Sequence, residues 1–317
     1  MATNTTISTA SPTYLNKTYY DRNLLENAKT KLVHAQYGQK RNIPLNSGKT
    51  VEFRRWTLFD PATVVALTEG VTPDGQDLKQ TNVTATINQY GAYVEVSDML
   101  KTTSYDDVME GSTDMLGEQV GTAIDWITRD AMCAGTNVQY ANGKASRSAL
   151  DATDKLTVAE IRKAVRTLKK NKAKMFSVSG KKPHFICICS PDATYDLQDD
   201  ALWKDVSKYS NAEQVYSGEI GRLFGVVFVE STEAKVYAAG GASSADVHAS
   251  LVFGRDAYGV IELEGRGNLH TIIKGLGSGG TSDPLDQRCT VGAKVDGYTA
   301  KILNDAWLVR IEHGVTA

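Results

Sequence analysis

Residues 45–56 read LNSGKTVEFRRW. Ser47-Gly48-Lys49-Thr50 is the tail of a phosphate-binding loop, whose full form G-x-x-x-x-G-K-[S/T] wraps glycine amides round phosphates where a strand gives way to a helix. The first glycine of that form falls at position 43, which is Ile43, and the residues after Thr50 alternate, with Val51, Phe53 and Arg55 against Glu52, Arg54 and Trp56. A period of two belongs to a strand. The stretch reads as a turn at Asn46-Ser47-Gly48 that feeds a β-strand, not as a nucleotide site.

Downstream, a loop excursion runs to about residue 81, and alternation resumes from Asn82 to Ser97, with Val83, Ala85 and Ile87 against Thr84, Thr86 and Asn88. Gly91 predicts a bulge before Val94 and Val96. Within the excursion, Asp60 as N-cap, Pro61 at the first helical position and Gly70 past the end frame a short helix, followed by a Pro73-Asp74-Gly75 turn. Together these make a long two-stranded flap, and an isolated hairpin is marginal in water, so the flap needs something to lie on. Upstream, residues 1–45 are polar with scattered aromatics and with Leu24, Leu25, Leu32 and Val33 at helical spacing, which predicts an extended arm holding one short helix.

The longest helical signal follows, from Ser104 to about Ala134, with Asp106 and Asp107 in the first turn. Val108, Ser112, Met115, Leu116, Ala123, Ile124, Ile127 and Ala131 are expected on one face of a rod roughly 45 Å long. Thr157-Val158-Ala159-Glu160 is a capping box that opens a second helix to about Lys174, striped by Val158, Ile161, Val165 and Leu168. A buried-type strand from His184 to Cys189 meets Ser190-Pro191, an N-cap and proline start for a further helix. The region from 155 to about 260 reads as α/β. Strand patterns close the chain at 268–274, 289–295 and 306–312, with Asn304-Asp305 as a tight turn between the last two.

With 317 residues, 41% of them hydrophobic, the chain can build a real core, and a net charge of −2 excludes global polyanion binding. No secretory signal is expected at the N-terminus, and no apolar run approaches a membrane span. Cys133, Cys187, Cys189 and Cys289 form no CxxC pair, so no metal site is expected. Gly275, Gly277 and Gly280 satisfy G-x-G-x-x-G, but no amphipathic helix follows, and no cofactor is expected. The five histidines accompany no nucleophile elbow, and nothing in the sequence argues for catalysis.

The order of arm, flap, long helix, inserted α/β region and returning strands resembles the tailed-bacteriophage major capsid protein fold, known from the Hong Kong phage. The blocks TVEFRRW (50–56), LTEGVTP (67–73), YSGEIGRLFGVVFVES (216–231), DPLDQRCTVGAK (283–294) and KILNDAWLVRIE (301–312) are similar to the major capsid proteins of the N-four phage group. The resemblance implies an α+β protein with an N-terminal arm over 1–48 and an E-loop flap over 49–97. It further implies a P-domain spine helix and following loop over 98–154, an A-domain over 155–262 and P-domain returning strands over 263–317. It implies self-assembly into homo-pentamers and homo-hexamers that close an icosahedral shell around packaged DNA, without sequence-specific binding and without a membrane. The E-loop strands, marked by Val51, Phe53, Val83 and Ile87, would then rest on a neighbouring subunit. A fused scaffolding domain is not expected; separate portal, scaffold or decoration proteins remain compatible with it.

Charge adds two expectations. Residues 60–130 hold thirteen carboxylates against three basic groups, and Asp114, Glu118 and Asp125 of the spine are expected to line the shell interior. The basic helix, with Arg162, Lys163, Arg166, Lys169 and Lys170, is expected to face the acidic segment of a neighbouring copy, with Asp192, Asp196, Asp199, Asp200 and Asp205. Two other classes stay open at this point: a nucleic-acid-binding protein using the basic run 155–182, and a nucleotide-dependent enzyme using the broken glycine motifs.

Overall fold

The computed structural model describes residues 33–57, 59–67, 69–72, 74–104, 108–177, 183–200, 202–203, 221–264, 270–280 and 283–316. The helix expected near Leu24, Pro73 of the expected turn, and Asp106 with Asp107 lie outside them. The arm ends in β1 (Gln39–Ile43), and a turn with Asn46 at φ 63° and Gly48 at φ 88° delivers the chain into β2 (Thr50–Trp56). β3 (Gln80–Thr86) pairs antiparallel with β2, Val51 opposite Ala85 and Phe53 opposite Val83. The strand expected to run on to Ser97 is in fact two strands. At Ile87 the backbone changes partners, and β4 (Asn88–Ser97) pairs with the long β13 (Arg288–Ile302).

Gly91 is not a bulge. It sits in register opposite Lys294, and a β-carbon there would lie 2.9 Å from the Ala293 carbonyl oxygen, so glycine lets two backbones approach. The irregularity falls between Val295 and Tyr298 instead. Gly91→Ala should cost about 1–3 kcal/mol by overpacking, read as a lower urea midpoint at unchanged slope. An unchanged midpoint would show that β4 can shift to make room.

Among the described residues, β13 organises a five-stranded sheet. β11 (Tyr258–Leu263) and β12 (His270–Lys274) pair with its far and near halves, β4 takes its other edge, and β1 adds parallel to β11. The helix expected at 104–134 is α2 (Val108–Cys133), and a short α1 (Asp98–Thr103), capped by the Ser97 hydroxyl, precedes it. Leu116, Val120 and Met132 of α2 pack on Val291, Ala293, Val295 and Tyr298. The buried stripe runs at intervals of four from Leu116, and Met115, expected on it, is 64% exposed. Neighbours on a helix differ by about 100° in direction, so a one-position error in the stripe exposes a residue expected inside.

A seven-stranded sheet runs β5 (Val138–Tyr140), β14 (Leu308–His313), β10 (Val247–Phe253), β6 (Phe185–Cys189), β8 (Val226–Glu230), β7 (Gly221–Leu223), with β9 (Val236–Tyr237) on the end of β10. α3 (Val158–Lys170) and α4 (Pro191–Asp199) pack together with it, Ile161, Val165, Leu168, Ala193 and Leu197 meeting Phe185, Cys187, Val309 and Ile311. The expected Asn304-Asp305 hairpin is absent, because β13 and β14 lie in different sheets joined by a 3-10 turn at Asp305–Trp307. The sheets also cross the sequence limits expected at 154/155 and 262/263. β5 and β14 join the α/β sheet, while β11 leaves it for β13. Strand partners this distant in sequence leave no periodic mark in the chain.

Candidate assembly surfaces

The root of the flap is settled within its own chain. Val51, Phe53 and Ile87 pack with Ile43, Ala85 and Ile261, so these expected flap residues serve the root. Further out, the Asp60 carboxylate accepts from the Ala62 amide at 2.9 Å, but the helix is a single 3-10 turn at Pro61–Thr63 and the chain is extended again by Val64, short of Gly70. Trp56, Phe59, Val64, Val65, Leu67, Val71 and Leu78 are all exposed, Val64 to 77%. An apolar concentration of this kind marks an interaction surface rather than ordinary solvent-facing loop. The sequence pattern pointed to the strands and missed the tip.

On α2, Asp114 is exposed and Glu118 half-buried. Asp125 is 1% exposed and does not belong with them. One of its oxygens lies 2.6 Å from His34 Nδ1; the other accepts the amides of His34 at 2.9 Å and Ala35 at 3.3 Å, and Tyr258 donates to the His34 carbonyl at 2.5 Å. Asp125 fastens the root of the arm to the long helix. A carboxylate on a polar-looking helix reads as solvated until its partner, 91 residues away, is placed beside it.

α3 presents Arg162, Arg166, Lys169 and Lys170 to solvent. Its capping box is half formed: Thr157 Oγ1 accepts from the Glu160 amide at 3.4 Å, but the buried Glu160 carboxylate takes Lys163 at 2.6 Å and Gln139 at 2.7 Å. Lys163 is therefore neutralised at home. The acidic segment is likewise divided. Asp200 accepts the Val158 amide at 3.1 Å, and buried Asp196 holds Lys155 at 3.3 Å together with the amide and hydroxyl of Thr316. Burial alone would raise the Asp196 pKa; hydrogen bonds from Thr316 and Lys155 outweigh it and hold the carboxyl below the usual range. Asp192 and Asp199 are exposed, and Asp205 lies outside the described residues.

The four cysteines are buried and free, and burial pushes the Cys133 thiol up to about 11. Among the described residues no cluster of three or more His, Cys, Asp or Glu could hold a metal ion, and no helix is long and apolar enough to cross a membrane. Gly275, Gly277 and Gly280 form an open loop after β12.

Two buried histidines give the α/β sheet an acid limit. His313 Nδ1 lies 2.8 Å from the Gly314 carbonyl, which can only accept, so Nε2 is left to accept from the Ser250 hydroxyl at 2.9 Å. His248 meets Ser190 at 2.9 Å, with the two imidazoles 6.2 Å apart. Burial lowers both, His313 from 6.5 to about 4. The unfolded chain therefore binds protons first as pH falls, and the stability present above 6.5 is lost on the way down through 4. For His313 this amounts to about 3 kcal/mol. Urea midpoints should fall steadily between pH 6.5 and 4; a flat profile there would overturn the assignment.

Residues 113–261, from within α2 through most of β11, match a model of the phage capsid protein family. Over the whole chain the fold is similar to the capsid of Ralstonia phage GP4, at 15% identity, 99% of each chain covered and a TM-score of 0.73. It is similar also to the capsid of Cyanophage Pam1, at 15%, 99% of each chain and 0.75. The chain has the fold of a phage capsid protein. The head structure of Helicobacter pylori bacteriophage KHP40 matches at 13%, 99% of each chain and 0.65, so the capsid fold persists where little sequence does. No curated protein sequence matches the chain.

Proposed function

We propose that this chain is a phage major capsid protein, which closes the icosahedral shell of a virion from homo-pentamers and homo-hexamers, each copy laying its flap across the copy beside it. The observation that carries this reading is the flap tip, where seven large apolar side chains are exposed on a two-stranded ribbon packed on its own chain only at the root. The ribbon has no means of burying that surface alone. In this reading assembly takes place in the host cytoplasm, with portal, scaffold or decoration proteins as further partners, and the shell encloses DNA without reading its sequence. Asp114 and Glu118 then face the interior, where like charge keeps DNA from adhering. The narrower kinship with the N-four phage group is part of the same proposal. Negative-stain microscopy of the purified, nuclease-treated protein tests it: closed shells or rings of five and six copies are expected, and a monodisperse monomer would overturn it.

A further inference from the structure

Phe224 occupies a place that its side chain does not favour. Leu223 and Val226 pair across a two-residue turn in which Phe224 has φ 49° and Gly225 φ 78°, the positive pair of a hairpin turn that selects Asn-Gly. A bulky residue in that conformation is an outlier, and such outliers concentrate at binding sites. The ring is 46% exposed, so burial does not explain it. Instead it stands beside the basic helix, with the Arg162 guanidinium 5.0 Å from its centre. Arg162, Val165, Arg166, Lys169, Lys170 and Phe224 line an open trough of about 500 Å³, cationic at its walls and apolar at its floor. Duplex DNA, its bases already stacked on one another, would use the walls alone. A segment joining an aromatic ring to carboxylates would use both.

The chain carries such a segment on the outer face of α4. Tyr195 is 70% exposed and has Asp192 three residues before it and Asp199 four after, so all three share one side of the helix. Within one copy the two surfaces stay apart at Phe224: the Gly225 carbonyl accepts the Phe185 amide at the start of β6, whereas α4 begins at Ser190, just beyond its end, so the strand's length, roughly 17 Å, separates Phe224 from the first turn of α4. The other end of α4 returns to the start of α3, where Asp200 accepts the Val158 amide. Tyr195 and Phe224 are both left exposed, and a head-to-tail ring pairs one such patch with a different patch on the next copy. We infer that in each capsomer Tyr195 of one copy enters the Arg162–Phe224 trough of the next, with Asp192 and Asp199 against Arg166, Lys169 and Lys170. The inference rests on the capsomer reading above. It replaces a general charge pairing with a contact that leaves Asp196 and Asp200 to their own domain.

Site-specific oxidation separates the two. The native cysteines are buried, so the variant carrying Tyr195→Cys and Phe224→Cys offers the only exposed thiols among the described residues. Assembled and oxidised, it should give a covalent ladder ending at five and six copies on a denaturing gel, and neither single variant should. Shells without a ladder overturn the contact and leave the capsid reading standing; no shells from the unaltered protein overturn both. Should the double-cysteine variant alone fail to assemble, a charge swap decides. Arg166→Glu should lower shell yield about tenfold, and adding Asp192→Arg should recover most of it. No recovery overturns the inference, as do intact Arg166→Glu shells that merely retain less nucleic acid.

Discussion

Removing residues 58–80 and joining the flap strands through a short glycine-rich turn abolishes shell closure while both large sheets stay folded. The cut lies beyond the packed root, since Val51, Phe53 and Ile87 keep their contacts with Ile43, Ala85 and Ile261. What it removes is most of the exposed apolar tip, with Phe59, Val64, Val65, Leu67, Val71 and Leu78. Burying a large apolar side chain contributes ~1.5–3 kcal/mol, so the tip offers roughly 10 kcal/mol to each contact with a neighbour before the cost of ordering it. Loss of that much from every contact leaves free subunits or open rings. Sedimentation should show no particles of shell size, with a melting transition close to that of the unaltered protein. Shells of normal size from the deletion protein would mean that the tip is not an assembly element.

Glu312→Gln should destabilise the α/β sheet by about 3–5 kcal/mol, the usual cost of stranding buried charge. The Glu312 side chain is fully buried and takes both prongs of Arg147, at 2.8 and 2.6 Å, while Arg310 Nε lies 2.8 Å from one of the same oxygens. Arg147 also stacks on Tyr237, 3.5 Å from the ring centre. The amide keeps the shape and removes the charge, leaving two guanidinium groups facing each other with no anion between them. A fall of roughly 10 °C in melting temperature is expected. Arg147→Lys, which keeps charge but loses the two-pronged fit, should cost less. A change below about 1 kcal/mol for Glu312→Gln would show that both arginines can reach solvent.

Surface and buried charges were unequally legible. The basic face of α3 followed directly from its apolar stripe, because Val158, Ile161, Val165 and Leu168 must point at the sheet and the cations between them therefore cannot. For carboxylates the same logic failed. Charge alone assigned Asp125, Asp196 and Asp200 to open surfaces, yet each is held by groups distant in sequence: His34, Thr316 and the Val158 amide. No local pattern reports a hydrogen bond across 91, 120 or 42 residues.

By itself the sequence determined what is periodic and local. Alternation at residues 50–56 fixed a strand and dismissed the phosphate loop, the Ser190-Pro191 start fixed a helix, and five consecutive apolar residues fixed β6 as buried. These are decided within a few residues by side-chain direction and backbone satisfaction. Only the tertiary structure decided that the strand after β3 changes partners at Ile87, that β13 and β14 part into different sheets, and that Phe224 stands over the basic helix. Each depends on which distant backbone completes a strand edge or which distant side chain fills a gap, and a sheet partner is chosen by complementarity over a whole face.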